Sequence, residues 1–425
     1  MNRPAFAAIA DDLTGGVELA SMLVAAGVRT QFLVGPVRND PEVTGDAVVV
    51  ALKSRVAPRA EAQRMFRDAG RFLAASQPRQ MFFKYCGTFA STPEGNIGPC
   101  ADVLMELTSA RQTLFCPTFP EFDRTVYNGH SFGGVVLLSN SAKRHDPATP
   151  MSESNLVEVL RPQTGRKVGL LRWATLQRGV GACHARLAEL AAAGVEYVIA
   201  DALCEEDLAR IAEFSHDWPL LTGHSAMVPH YPPHWRASKW IDEAATPAPV
   251  PAISGPGAVL AGSCSRRNLE QLDCFEQSGR PVLRIDLLDS VTGVDVVGQA
   301  LAWAETRIGA VPFAIATSAA PQAVADLQAR LGRQEASRLA DDTLARIASG
   351  IVARGVRRLL VSGGETSGAV IKALKVGEIR LGPYEIGKIP LGVSDGPTPL
   401  ALCLKSGALG SDDIFIEHLE AMAGH

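Results

Sequence analysis

No uninterrupted apolar run in this sequence approaches the roughly 18 residues that a membrane span requires, so a membrane role is not expected. The eight cysteines (Cys86, Cys100, Cys116, Cys183, Cys204, Cys264, Cys274 and Cys403) are scattered and include no C-x-x-C pair, which argues against both a zinc site and a disulfide framework. Basic runs are also missing and the net charge is −4, so there is no electrostatic reason to approach a nucleic-acid backbone. The apolar start, residues 4–10, is too short for a secretory h-region and runs directly into Asp11 and Asp12; a cytoplasmic protein is expected. His230 and His234 have the spacing of a zinc-binding helix, but Pro232 and Pro233 between them oppose a regular helix, and no metal site is expected there. No fixed-period repeat is evident.

What is present is an ordinary globular composition, 47% apolar and 20% charged, in a chain of 425 residues. That length exceeds what one core usually organises and predicts two domains with a ligand cleft between them. Short β-rich runs alternate with longer stretches of helical period, the pattern of α/β layering with mainly parallel sheets. Strands are predicted at 6–10, 47–52, 81–84, 113–116, 168–171 and 197–200, and helices near 16–26, 59–75 and 180–193, the last stopped by Gly194. Residues 244–257 hold four prolines and two glycines, a composition that joins domains. The expected division is therefore 1–245, a linker 246–257, and 258–425. In the second half the rhythm restarts, with strands at 258–261, 281–285, 312–317 and 358–362 and a long helix at 337–354.

Three strand ends in the first half carry polar chemistry. The strand ending at Ala10 empties into Asp11, Asp12, Leu13, Thr14, Gly15 and Gly16; the next ends in Lys53, Ser54 and Arg55; a third ends in Lys84, Tyr85, Cys86, Gly87 and Thr88. Ligands in open α/β sheets sit outside the carboxyl ends of strands. Adjacent carboxylates suit hydroxyl recognition, proton abstraction or Mg²⁺, whereas Arg and Lys suit a carboxylate, so together they can hold a polyhydroxy acid at both ends. The alternative is that Asp12 or Thr14 simply caps a helix and that the cations are solvated.

In the second half, Leu359 to Ser362 lead into Gly363, Gly364, Glu365, Thr366 and Ser367, an apolar strand followed by a glycine turn and a helix start. Such a turn lets backbone N–H groups approach an oligophosphate. It matches neither the Walker A spacing nor the dinucleotide fingerprint, so a nicotinamide-dependent dehydrogenase is disfavoured. Two further small-residue turns, Gly262-Ser263-Cys264-Ser265 and Ser406-Gly407-Ala408-Leu409-Gly410, also follow strands. One bound nucleotide explains all three, and Lys405 is a candidate partner for its phosphates, with a structural role for that lysine left open.

These motifs together resemble the four-carbon acid sugar kinase family over nearly the whole chain. IADDLTGGVELA is similar to the family's opening IADDFTGATDLA, and SGGETSGAV to its nucleotide signature; FKYCGTFASTPEGNIGP and CPTFPEFDRTVYNGH resemble the 3-oxo-tetronate branch. The resemblance implies an N-terminal acid-sugar domain, a C-terminal ATP domain, and γ-phosphoryl transfer to a 4-hydroxyl with Mg²⁺ on the phosphates. It implies substrate contacts from Asp11 or Asp12, Arg55, Lys84, Tyr85, Cys86, Gly87 and Thr88. For ATP it implies Ser263 or Ser265, Gly363, Gly364, Glu365, Thr366, Gly407 and Gly410. Asp12 is the expected general base, Arg55 the expected carboxylate clamp, and a homodimer the expected assembly; the metal ligands stay unassigned. The chain departs from the family at Gly87, usually Ser, at Ala90, usually acidic, at Glu18, usually Asp, and at 221–225, 387–389 and 408. Threonate or erythronate kinase, or a sugar-acid-binding protein that has lost ATP use, are the alternative readings.

Overall fold

The run Phe6-Ala-Ala-Ile-Ala10 has no polar face and forms β1 (Phe6–Ala10), buried at every position, as expected of a parallel strand covered on both sides. The computed structural model describes residues 3–37, 41–146, 149–244, 246–247 and 249–424. The chain divides into two units, Met1–Pro247 and Ala248–His425. Ala245 and Ala248, within the stretch read as a linker, lie outside the described residues.

The first unit continues with β2 (Thr30–Val34), β3 (Ala47–Ala51), β4 (Gln80–Lys84) and β5 (Thr113–Cys116). A small antiparallel sheet follows, of β6 (Arg124–Tyr127), β7 (His130–Gly133) and β8 (Val136–Leu137). The chain then returns as β9 (Lys167–Leu171), β10 (Val195–Ala200) and β11 (Leu220–Gly223). The large sheet is parallel in the order β2-β3-β1-β4-β11-β5-β10-β9. Helices cover it by amphipathic spacing: α2 (Arg59–Ala75) buries Ala62, Phe66, Ala69, Gly70 and Leu73, one face of a 3.6-residue period. Burying Phe66 completely is worth about 2–3 kcal/mol.

The second unit holds β12 (Gly257–Ala261), β13 (Val282–Arg284), β14 (Phe313–Ala316), β15 (Arg358–Ser362), β16 (Ile379–Leu381), β17 (Leu391–Ser394) and β18 (Ala401–Lys405), in the order β13-β14-β12-β15-β18-β17-β16. All pairings are parallel except those of β16 with β17 and β17 with β18. In both sheets the first four strands lie in the order second, third, first, fourth. The first strand therefore exits toward one edge and its neighbour, the fourth, toward the other, which opens a crevice at their carboxyl ends.

Sequence periodicity overlooked β2 and β11, and it opened the first helix at 16 where α1 (Leu13–Ala25) starts three residues earlier. No single regular helix carries His230 and His234, in keeping with the two prolines between them; Pro232 and Pro233 instead begin a new helix, Pro232–Ala237, in a first turn where a missing N–H costs nothing. His230 precedes that helix and its Nε2 lies 2.9 Å from Glu205, whereas His234 stacks on His216.

Candidate active site

In the first unit the crevice lies between β1 and β4, paired in register from Phe6 and Gln80 to Ala10 and Lys84. The Asp11 N–H donates to the Lys84 carbonyl at 3.1 Å, and the Ser54 and Arg55 N–H groups donate to the Asp11 carbonyl at 3.0 and 3.2 Å. Asn96 fixes the Arg55 loop from behind, its Nδ2 reaching the carbonyls of Ser54, Arg55 and Ala57. Asp11, Asp12, Arg55 and Lys84 are thus brought together from three separate strand ends.

Arg55 is already engaged. Its Nε and Nη2 donate to both oxygens of Asp11 at 3.1 and 2.7 Å, and Nη2 also reaches Asp12 Oδ1 at 2.6 Å. This geometry favours a part as counter-charge for the two aspartates over the expected one of substrate clamp. Asp12 occupies the N-cap position of α1, but no well-formed capping bond is made there; its carboxylate accepts from Arg55 and, at 2.7 Å, from the Thr14 hydroxyl. Burial opposes ionisation of Asp12, yet Arg55, Lys84 and Thr14 outweigh it and hold the group down at about 2. A carboxylate so held, with both oxygens occupied, is a weak proton acceptor, and the geometry does not favour Asp12 as general base. For Asp11 burial prevails over Arg55 and pushes its pKa up.

Lys84 is the contrasting cation. It is 3% exposed, its nearest carboxylate oxygen is Glu18 Oε2 at 3.7 Å, and among the described residues its ammonium makes no hydrogen bond. Gly15 makes this placement possible: a Cβ there would stand 2.4 Å from Asp12 Oδ1 and 2.5 Å from Lys84 Nζ. A buried ammonium with unused donors is suited to an incoming anion.

The rest of the run 84–88 behaves unevenly. Tyr85 is fully buried against Phe83, Phe89 and Phe115 and its hydroxyl lies 3.2 Å from Thr222, so its side chain belongs to the core and its expected substrate contact is corrected. Cys86 Sγ is 3.1 Å from the Thr88 hydroxyl. Gly87 lies under His224, where a Cβ would stand 3.1 Å from the ring.

Thr14, part of the first polar strand end in the sequence, completes this wall with Glu18, His224 and Ser225, which the sequence marked only as departures from the family pattern. Their signal is faint: Thr14 and Glu18 are four residues apart on α1 and so share its crevice face. His224 and Ser225 follow β11, which the sheet inserts beside β4 with Gly223 opposite Lys84. The Ser225 hydroxyl donates to Glu18 Oε2 at 2.6 Å, and His224 Nε2 lies 3.3 Å from the same oxygen. Burial, aided by Lys84 and Arg55, holds His224 well below its usual pKa, so the ring is neutral. Its Nδ1 accepts from the Ala226 N–H at 3.2 Å, which puts the proton on Nε2, facing Glu18.

In the second unit the three small-residue turns meet. A Cβ on Gly407 would stand 1.8 Å from the Ser263 hydroxyl, and one on Gly262 would stand 2.1 Å from that of Thr366. Gly363, at φ +125°, precedes the helix Gly364–Ala373, whose N-terminus carries no side-chain cap and turns the N–H groups of Gly364 and Thr366 toward an incoming anion. Ser263 adjoins that turn, its N–H reaching the Ser362 carbonyl at 3.2 Å. Gly410 closes the last turn at φ +92°. Ser265 is spent on structure, capping the helix Arg266–Gln277 and donating to the Gly407 carbonyl at 2.8 Å. Lys405 is spent likewise: it is fully buried and its ammonium donates to Ser362 Oγ and to the carbonyls of Ser406 and Gly407. Burial lowers its pKa to about 8. Asn268, unnoticed in the sequence, ties the ends of three strands through Ser263, Ser318 and Ser362.

One α/β unit thus carries a carboxylate–cation crevice and the other a glycine-turn cradle suited to an anion. Residues 6–231 match a sugar-binding N-terminal domain and residues 258–415 a nucleotide-binding C-terminal domain. The chain is 43% identical to a 3-oxo-tetronate kinase of Cupriavidus necator, across 100% of this chain and 98% of the relative. It is also 43% identical to a 3-oxo-tetronate kinase of Burkholderia multivorans over 100% of this chain and 98% of that one. Among solved structures, a Salmonella typhimurium LT2 protein superposes with a TM-score of 0.80 at 33% identity, covering 97% of this chain and 98% of its own. A Haemophilus influenzae protein superposes at 0.76 and 31%, covering 98% and 100%. The chain belongs to the four-carbon acid sugar kinase family.

Proposed function

We propose that this protein is an ATP-dependent kinase that phosphorylates the 4-hydroxyl of a four-carbon sugar acid, 3-oxo-tetronate. The observation that carries the reading is full-length similarity to 3-oxo-tetronate kinases, at 43% identity, through both polar crevices of one chain. The first unit binds the acid: Lys84, with its unused donors, takes the carboxylate, while Asp11, Asp12 and Arg55 form a rigid floor and Thr88, Cys86 and the backbone at Gly87 line the approach. The second unit binds ATP. Its phosphates lie against the N–H groups of Gly364, Glu365 and Thr366, with Ser263, Gly363, Gly407 and Gly410 shaping the turns around them.

Among the described residues no cluster of three or more His, Cys, Asp or Glu side chains is placed to hold a metal ion, so Mg²⁺ would be carried chiefly by the nucleotide phosphates. Bound there, it supplies charge neutralisation for phosphoryl transfer. The same reading takes the protein as a cytoplasmic homodimer. Thermal shift tests the class: Mg-ATP and the sugar acid each raise the Tm of a kinase by mass action. Stabilisation by the acid with none by Mg-ATP would identify a silent binding protein instead, the reading that the departures at 387–389 and 408 favour.

A further inference from the structure

The partners of Asp12 disfavour it as the base, so another acceptor is sought for the proton of the acceptor hydroxyl. A second carboxylate lies on the same wall. Glu18, one turn along α1 from Thr14, is 19% exposed. Its Oε2 faces three donors: Ser225 Oγ bonded at 2.6 Å, His224 Nε2 at 3.3 Å and Lys84 Nζ at 3.7 Å. Among the described residues its Oε1 makes no hydrogen bond. The carboxylate is therefore oriented through one oxygen and offers the other. The neutral, Nε2-protonated state of His224 keeps that ring a donor toward Glu18, and the absence of a side chain at Gly87 gives the ring its place.

We propose that Glu18 is the general base of the reaction, with Ser225 and His224 as the residues that position it; this rests on the kinase reading above. In the step, the 4-hydroxyl O–H bond breaks and its proton passes to Glu18 Oε1. The hydroxyl oxygen forms a bond to the γ-phosphorus as the bond from that phosphorus to the β–γ bridging oxygen breaks, and ADP leaves with the electron pair. Lys84 adjoins both the base and the substrate anion site, so binding of the acid offsets its charge and leaves Glu18 the better proton acceptor. The charged and titratable groups around Glu18 are Lys84 and His224, with Asp12 and Glu121 acting against its ionisation. Burial is the largest influence and pushes its pKa up, toward the range a base needs.

Steady-state kinetics of the full chain test this with Glu18→Gln and Ser225→Ala, read by ADP release against pH. Glu18→Gln keeps the shape and the Ser225 bond; kcat is expected to fall about 10²–10⁴-fold while the KM for either substrate moves less than about threefold. Ser225→Ala removes a bond that favours the ionised form. The acid limb of its kcat profile is expected to move to higher pH, a change that a merely structural serine would not produce. If Glu18→Gln retains kcat within about threefold, or, should that variant not fold, if Ser225→Ala leaves the acid limb in place, the assignment is overturned. Failure of the wild type to phosphorylate any sugar acid would instead overturn the kinase reading, so the two failures are distinct.

Discussion

Arg55→Ala separates the revised role of this arginine from its expected one. Removing the guanidinium leaves Asp11 and Asp12 adjacent, with Lys84 still acting on both. Breaking one partner of a buried pair costs about 3–5 kcal/mol, and the 23% exposure of the Arg55 side chain moves the expectation to about 2–3 kcal/mol. An independent route gives a similar size: holding Asp12 at about 2 against an ordinary 3.8 corresponds to about 2 kcal/mol at neutral pH. At about 2–4 °C per kcal/mol for a unit of this size, the melting temperature should fall by about 5–10 °C. Tryptophan fluorescence reads the appropriate unit, since Trp173, Trp218, Trp235 and Trp240 lie in the first and only Trp303 in the second. The pH dependence has a defined sign. Asp12, with a depressed pKa, contributes stability above 3.8 that is lost as pH falls through about 2. Asp11, with a raised pKa, opposes folding at neutral pH and ceases to do so as it protonates in acid. The gap between wild type and Arg55→Ala should therefore narrow in acid. A melting temperature within about 1 °C of wild type, with KM for the acid raised tenfold or more, would refute this account and return Arg55 to the substrate carboxylate.

Lys84→Met should raise the KM for the sugar acid by about 10–100-fold, the loss of a charge-assisted contact of about 1.5–3 kcal/mol, with the KM for ATP unchanged in initial-rate assays. Gly15→Ala places a Cβ against Asp12 and Lys84 and should abolish measurable acid binding by titration calorimetry, because both close neighbours lie in the site. Gly87→Ser presses on His224 at 3.1 Å and should lower kcat in initial-rate assays by displacing the ring from Glu18, a loss that His224→Ala alone should reproduce.

Much of the fold could be read from periodicity. The runs at 6–10, 113–116 and 358–362 are apolar through their middles because parallel strands are covered on both faces, and their bounds agree with the structure. Strand order is another matter, since it depends on pairings across long sequence distances. The insertion of β11 between β4 and β5 carries His224 and Ser225 to Lys84, and nothing local to the short run Leu220–Gly223 signals that neighbour. Partnership was equally illegible. Arg55 and Lys405 have the right residue type for anion binding, but the Arg55 Nε and Nη2 are taken by the protein's own carboxylates and the Lys405 ammonium by a hydroxyl and two carbonyls. The departures noted at Gly87, Glu18 and 221–225 acquire meaning only together, because the structure makes them neighbours in one wall.

The central claim is tested most directly by a coupled ADP-release assay with Mg-ATP against 3-oxo-tetronates, threonate and erythronate in both hands, with citrate as a control lacking a hydroxymethyl group. Turnover selective for a 3-oxo-tetronate is the predicted result. Turnover with threonate or erythronate alone, or none with any acid while ATP demonstrably binds, would contradict the assignment of that substrate.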